Sequence, residues 1–193
     1  MATLLGGRID KYSYVLLLRN LEPIYSELEA GLTQYAGQAG IAPIYFPAMF
    51  RLHSLHRDLK SLHGPSWAGD IALLPGSTEY VKRLKAVQSS NPELLAAHAY
   101  VRYLGDLSGG QMLQKIISRS LQLAPQQGGT DFYNFGDPVE VAKLSQAFRA
   151  GLKAIGSDGV LAEAKLAFEM HGHLFDGLAD ACGLSQADLK TPL

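Results

Sequence analysis

The chain has a single cysteine, Cys182, among 193 residues. That excludes an intramolecular disulfide, leaves nothing to hold a cysteine-ligated iron–sulfur cluster, and fits a reducing compartment. Excess charge of either sign is also missing: seventeen basic and eighteen acidic residues give a net charge of −1, so there is no electrostatic case for nucleic acid. No apolar run approaches the ~20 residues of a membrane span, and no charged start followed by an apolar stretch and a cleavage site suggests a secretory leader. The cytoplasm is the expected compartment. Repeats and low-complexity tracts are absent. So is the period-two alternation of a half-buried strand.

What remains is helical. The hydrophobic fraction of 47% supports a sizeable core in one domain. Asp10 is placed to cap a helix reaching about Leu32, with Tyr14, Leu17, Leu18, Leu21, Tyr25 and Leu28 along one side and Pro23 bending it. A loop over residues 37–47 ends at Pro47, which is expected to open a helix to about Leu62. Further helices are expected over 78–88, from Asn91-Pro92 onward, from the Asp137-Pro138 opening to about Ile155, and from Ser157 to about Cys182, closed by Gly183. Residues 124–136 read as a second loop, rich in glutamine and glycine. The fold class expected is all-α.

The most informative stretch is 93–123. Leu94, Leu95, Leu104, Leu107, Leu113, Ile116, Ile117 and Leu121 fall mostly three or four apart, which is helical spacing. Yet Gly105, Gly109 and Gly110 lie in its middle. Each costs roughly 1 kcal/mol relative to alanine inside a helix. Two compensations exist: a neighbouring element packs close, or something flat lies against the bare main chain. Gly105 and Gly109 share a face, with Ser108 alongside, and form a shallow trough. Arg102 and Asp106, four apart, and Tyr100 and Tyr103 add polar groups beside it.

The segment Tyr100-Val-Arg-Tyr-Leu-Gly-Asp-Leu-Ser-Gly-Gly-Gln111, with the preceding PELLAAHA, resembles the signature of the biliverdin-forming heme oxygenases. There it is the distal helix, kinked at its glycines over the heme face that binds oxygen. The motifs IYFP (44–47), GPSW (64–67), YVKR (80–83) and AKLAF (164–168), and Leu174-Phe175, resemble family landmarks, so the likeness runs nearly end to end. It implies a single all-α heme oxygenase domain over 1–193, with a tail from 183, and oxygen-dependent opening of heme to biliverdin, carbon monoxide and ferrous iron. Electrons then come from an external ferredoxin-like or flavoprotein reductase. The alternative is a non-catalytic heme-binding or scavenging protein.

Site residues follow from the resemblance. Gly105 and Gly109 match the residues that crowd oxygen. Asp106 matches the carboxylate that holds a water network, aided by Arg102 and Tyr25. Arg149 and Tyr100 match propionate-binding groups, and Ser108 lies beside the heme face. Where the family often places a lysine, Ser145 stands here, and Lys143 is the expected partial substitute. Phe168 and Phe175 form one wall of the slot, and Leu107, Met112 and the trough form the other. Met1–Gly7 resembles the segment just after the family's first helix, so the proximal histidine is expected upstream of Met1. No residue here takes the family's metal-ligand position, and His171 is the best substitute ligand within the chain. His53, His56 and His63 share a stripe expected to be a solvated face, and His98 is expected to be a satisfied helical residue.

Overall fold

The computed structural model describes residues 9–124 and 127–183. Seven α-helices account for most of it: α1 Lys11–Gln34, α2 Leu52–Leu62, α3 Trp67–Asp70, α4 Pro75–Ser90, α5 Leu95–Ser120, α6 Pro138–Ile155 and α7 Asp158–Ala181. Among the described residues there is no strand. The expected segment Met1–Gly7 and the tail beyond 183 lie outside this range.

Local chemistry sets several boundaries. The Asp10 side chain accepts the Ser13 N–H at 2.9 Å, an N-cap on the first turn of α1. Asp137 does the same for Val139 ahead of Pro138, whose missing N–H costs nothing at that position. Helix α1 continues through Pro23 and is the core of the molecule. Tyr14, Leu18, Ile24, Tyr25, Leu28 and Leu32 are fully buried, and α1 packs chiefly on α2 and α4. Helix α7 lies across α5 and α4.

The start of α2 departs from the expectation at Pro47. Pro47–Met49 forms only a 3₁₀ turn, and the α-helix begins at Leu52. Long-range groups account for the delay. The Arg51 guanidinium donates to the carbonyls of Ala48, Met49, Phe50 and Asn134, so those carbonyls are satisfied without a helix. The buried Glu29 carboxyl, from α1, accepts the N–H groups of Arg51 and Leu52 and caps α2 from outside its own sequence. Similarly, α4 opens at Pro75, three residues before the expected Thr78.

Loop 127–136 is hung on one buried side chain. Asp58 of α2 accepts the N–H groups of Gly129 (3.1 Å), Asp131 (2.9 Å) and Phe132 (2.7 Å). This presses the Tyr133 carbonyl against α5, where a Cβ on Gly110 would lie 2.9 Å from it. A second close approach occurs at Gly151 of α6, where a Cβ would fall 1.9 Å from the Pro43 carbonyl oxygen. These two glycines are there for packing.

Candidate active site

Helix α5 keeps α-helical hydrogen bonding from Leu95 to Ser120, through all three glycines. They divide by function. Gly110 faces the loop carbonyl, but a Cβ on Gly105 would meet nothing within 4 Å, and one on Gly109 would meet only Leu113 of its own helix at 3.7 Å. Gly105 and Ser108 are exposed. Main chain is therefore bare along this face, with Met112 exposed beside it. Leu107 turns away and is buried in the core, so it does not join that wall as expected.

Behind the bare strip lies a buried polar string. Tyr25 reaches across from α1 and donates to Asp106 Oδ2. Arg102 Nε donates to the Tyr25 hydroxyl at 3.3 Å, and Arg102 Nη1 donates to His171 Nδ1 at 2.6 Å. Tyr25 is fully buried, and Arg102 and Asp106 nearly so. Burial raises the Asp106 pKa to about 6, against the pull of the Arg102 charge and the Tyr25 hydrogen bond. At neutral pH the carboxyl is mostly ionised. Burial also pushes the Tyr25 phenol well above its usual value, so it stays a donor. Its second neighbour is Tyr103, whose hydroxyl donates to Glu29 at 3.4 Å.

The expected propionate groups also meet. Tyr100 and Arg149 line one open cavity of about 550 Å³ between α5, the end of α6 and the start of α7. Lys153 lines it as well. Sequence reading passed over Lys153, although it lies one turn after Arg149 on the same helical face. Phe168 is exposed and sets its ring edge-on to Tyr100, with centroids 6.1 Å apart. Phe175 is half-buried against the His171 ring at 4.5 Å.

Two expectations require correction. Lys143 is not among the residues lining that cavity; its ammonium is paired with Glu140 at 2.7 Å on the exposed side of α6. His171 Nδ1 accepts from Arg102, which puts the ring proton on Nε2 and leaves the neutral imidazole no free lone pair for a metal. Among the described residues no group of three histidine, cysteine, aspartate or glutamate side chains could hold a metal ion. The other histidines behave as expected: His56 and His63 pair with Glu22 and Asp70 at the surface. His98 is buried between the Tyr80 hydroxyl at 3.1 Å and Glu163 at 2.9 Å.

The described residues thus combine a bare glycine face on α5, a buried polar string behind it and a cavity lined by Tyr100, Arg149 and Lys153. Comparisons with known proteins name the class. The Heme oxygenase family model matches residues 1–177. "Heme oxygenase 2" of Synechocystis sp. is 38% identical over 203 residues, spanning 99% of this chain and 81% of the relative. "Heme oxygenase 1" of Gallus gallus is 37% identical over 93% of this chain, which spans 63% of that longer protein. The crystal structure of heme oxygenase-2 from Synechocystis sp. PCC 6803, in complex with heme and NO, superposes with a TM-score of 0.87. It has 38% identity and covers 94% of this chain and 77% of its own. The chain belongs to the heme oxygenase family, a family of enzymes. No helix among the described residues is long and apolar enough to cross a membrane.

Proposed function

We propose that this chain, acting as one domain, opens heme to biliverdin, carbon monoxide and ferrous iron, using O2 and electrons from an external ferredoxin-like or flavoprotein reductase. The observation that carries this reading is the pairing of the bare Gly105–Gly109 face with an Asp106 carboxyl anchored from behind. Heme supplies the iron and the porphyrin edge that is oxidised; the residues of the chain do the rest. Gly105 and Gly109 let a flat ring approach main chain with no Cβ between. Arg149, Lys153 and Tyr100 bind its carboxylates, Arg149 by two parallel hydrogen bonds. Phe168 and Phe175 cover its apolar edge.

Asp106 has no protein partner at Oδ1 among the described residues, while Tyr25 fixes Oδ2. An ionised carboxylate of this kind orients water by accepting hydrogen bonds. Protons thus reach the trough through ordered water, with no strong acid in contact with the reacting atoms. The lone Cys182 suits a reducing cytoplasm.

The test is heme titration followed by reductase-driven turnover, watching biliverdin absorbance, on this chain and on an upstream-extended one. Asp106→Ala is expected to bind heme and lose at least ~10-fold in biliverdin yield, within the usual range for removing a positioned proton-transfer group. A normal yield from that variant would reject the role of Asp106. Tight heme binding with no biliverdin from any form would support the scavenging alternative.

A further inference from the structure

Every nitrogen of a guanidinium is a donor and none can accept. Arg102 therefore fixes the direction of each bond it makes. His171 must present an unprotonated Nδ1 to it, which places the imidazole proton on Nε2. The Tyr25 hydroxyl accepts from Arg102 Nε, so its own proton is committed to Asp106. His171 on α7, Arg102 and Asp106 on α5, and Tyr25 on α1 form one string whose hydrogen-bond polarity has no alternative.

The anchor at the far end has a consequence for the carboxylate. An arginine freed from its partner at Nη1, four residues before a buried carboxylate, would favour a direct two-bond pair with it. That pair would displace Tyr25 and fill the Asp106 oxygen left open in the present arrangement. We propose that His171 is a positioning residue that holds the Arg102 guanidinium off Asp106, so that Tyr25 alone orients the carboxylate. Burial and the adjacent Arg102 charge push the His171 pKa down to about 3, so the imidazole stays a neutral acceptor throughout the working pH range. The ring is braced on its other side by Phe175. This rests on the role proposed above for Asp106.

Three variants separate the possibilities. His171→Asn puts a carbonyl oxygen on Cγ, where Nδ1 now sits. His171→Gln carries it one bond farther out, and His171→Leu removes the acceptor. Biliverdin formed per heme consumed is expected to stay near the wild-type value in His171→Asn and to fall about tenfold in the other two, the loss typical of removing a partner that orients a working group. Heme affinity and the thermal midpoint of the heme-free chain are expected to change little across the series. In the heme-free wild type, ¹⁵N NMR of labelled histidine is expected to show His171 as the neutral Nε2–H tautomer from pH 5 to 8.

A His171→Leu variant that binds heme and keeps its biliverdin yield would overturn the proposal. So would a wild-type His171 protonated on Nδ1. Should the wild type bind heme and make no biliverdin, the proposed function fails instead, and the tautomer alone then decides whether His171 holds Arg102.

Discussion

Gly105→Ala should make the protein more stable and less active. The site is helical, so the added methyl group removes backbone freedom from the unfolded chain without forcing a strained conformation. In most cores the methyl would also have to find room, but here its nearest neighbour is beyond 4 Å. The gain should therefore approach the full glycine–alanine difference in a helix, about 1 kcal/mol. For a domain of this size that raises Tm by roughly 2–4 °C. The same methyl group stands on the face where a flat ring would lie, so heme affinity and biliverdin yield should both fall.

Gly151→Ala is the control. Its methyl would collide with main chain at 1.9 Å, and main chain cannot swing aside as a side chain can. A loss of about 3 kcal/mol or more is expected, the upper range for overpacking. Calorimetry of the heme-free proteins and heme titration of each settle the matter. A Gly105→Ala protein with lowered Tm, or with undiminished heme turnover, would refute the reasoning.

Arg149→Ala should weaken heme binding by roughly 10- to 100-fold, the worth of a hydrogen bond between charged partners, whereas Lys143→Ala should leave it unchanged because that ammonium is spent on Glu140 at the surface; competitive heme titration compares them. Burial raises the Glu29 pKa from 4.5 to about 7, opposed by hydrogen bonds from the Arg51 and Leu52 N–H groups. Its folded value lies above its unfolded one, so the stability it contributes is full below pH 4.5 and is lost as pH rises through about 7. Relative to wild type, Glu29→Gln should gain about 3 kcal/mol between pH 4.5 and 8; denaturant midpoints differing by a pH-independent amount would contradict this.

The helices were legible where their signals are local. Asp10, Asp137-Pro138 and the three-four spacing of leucines act within a turn or two, and the helices begin and end close to where those residues place them. The start of α2 was not, because Glu29 and Arg51 replace a local cap with groups brought in by tertiary packing. The glycines were half legible. Their cost announced two possible reasons, but only the position of the Tyr133 carbonyl shows that Gly110 serves packing while Gly105 and Gly109 stay bare. Tyr25 and Asp106 are 81 residues apart, and family likeness alone brought them together beforehand. His171 was singled out by the family likeness, yet its partner was not, since no spacing rule links α7 to the middle of α5. Lys153 could have been found from Arg149 by the four-residue rule.

The seating of the Pro43 carbonyl on Gly151 ties α6 to the connection between α1 and α2. Arg149 is two residues from that contact, so the cation is surveyed from one landmark and the glycine floor from another. Phe148, next to Arg149, also sets its ring edge-on to Tyr103 of α5 at 6.2 Å, so the cation is held in register with the glycine-bearing helix as well.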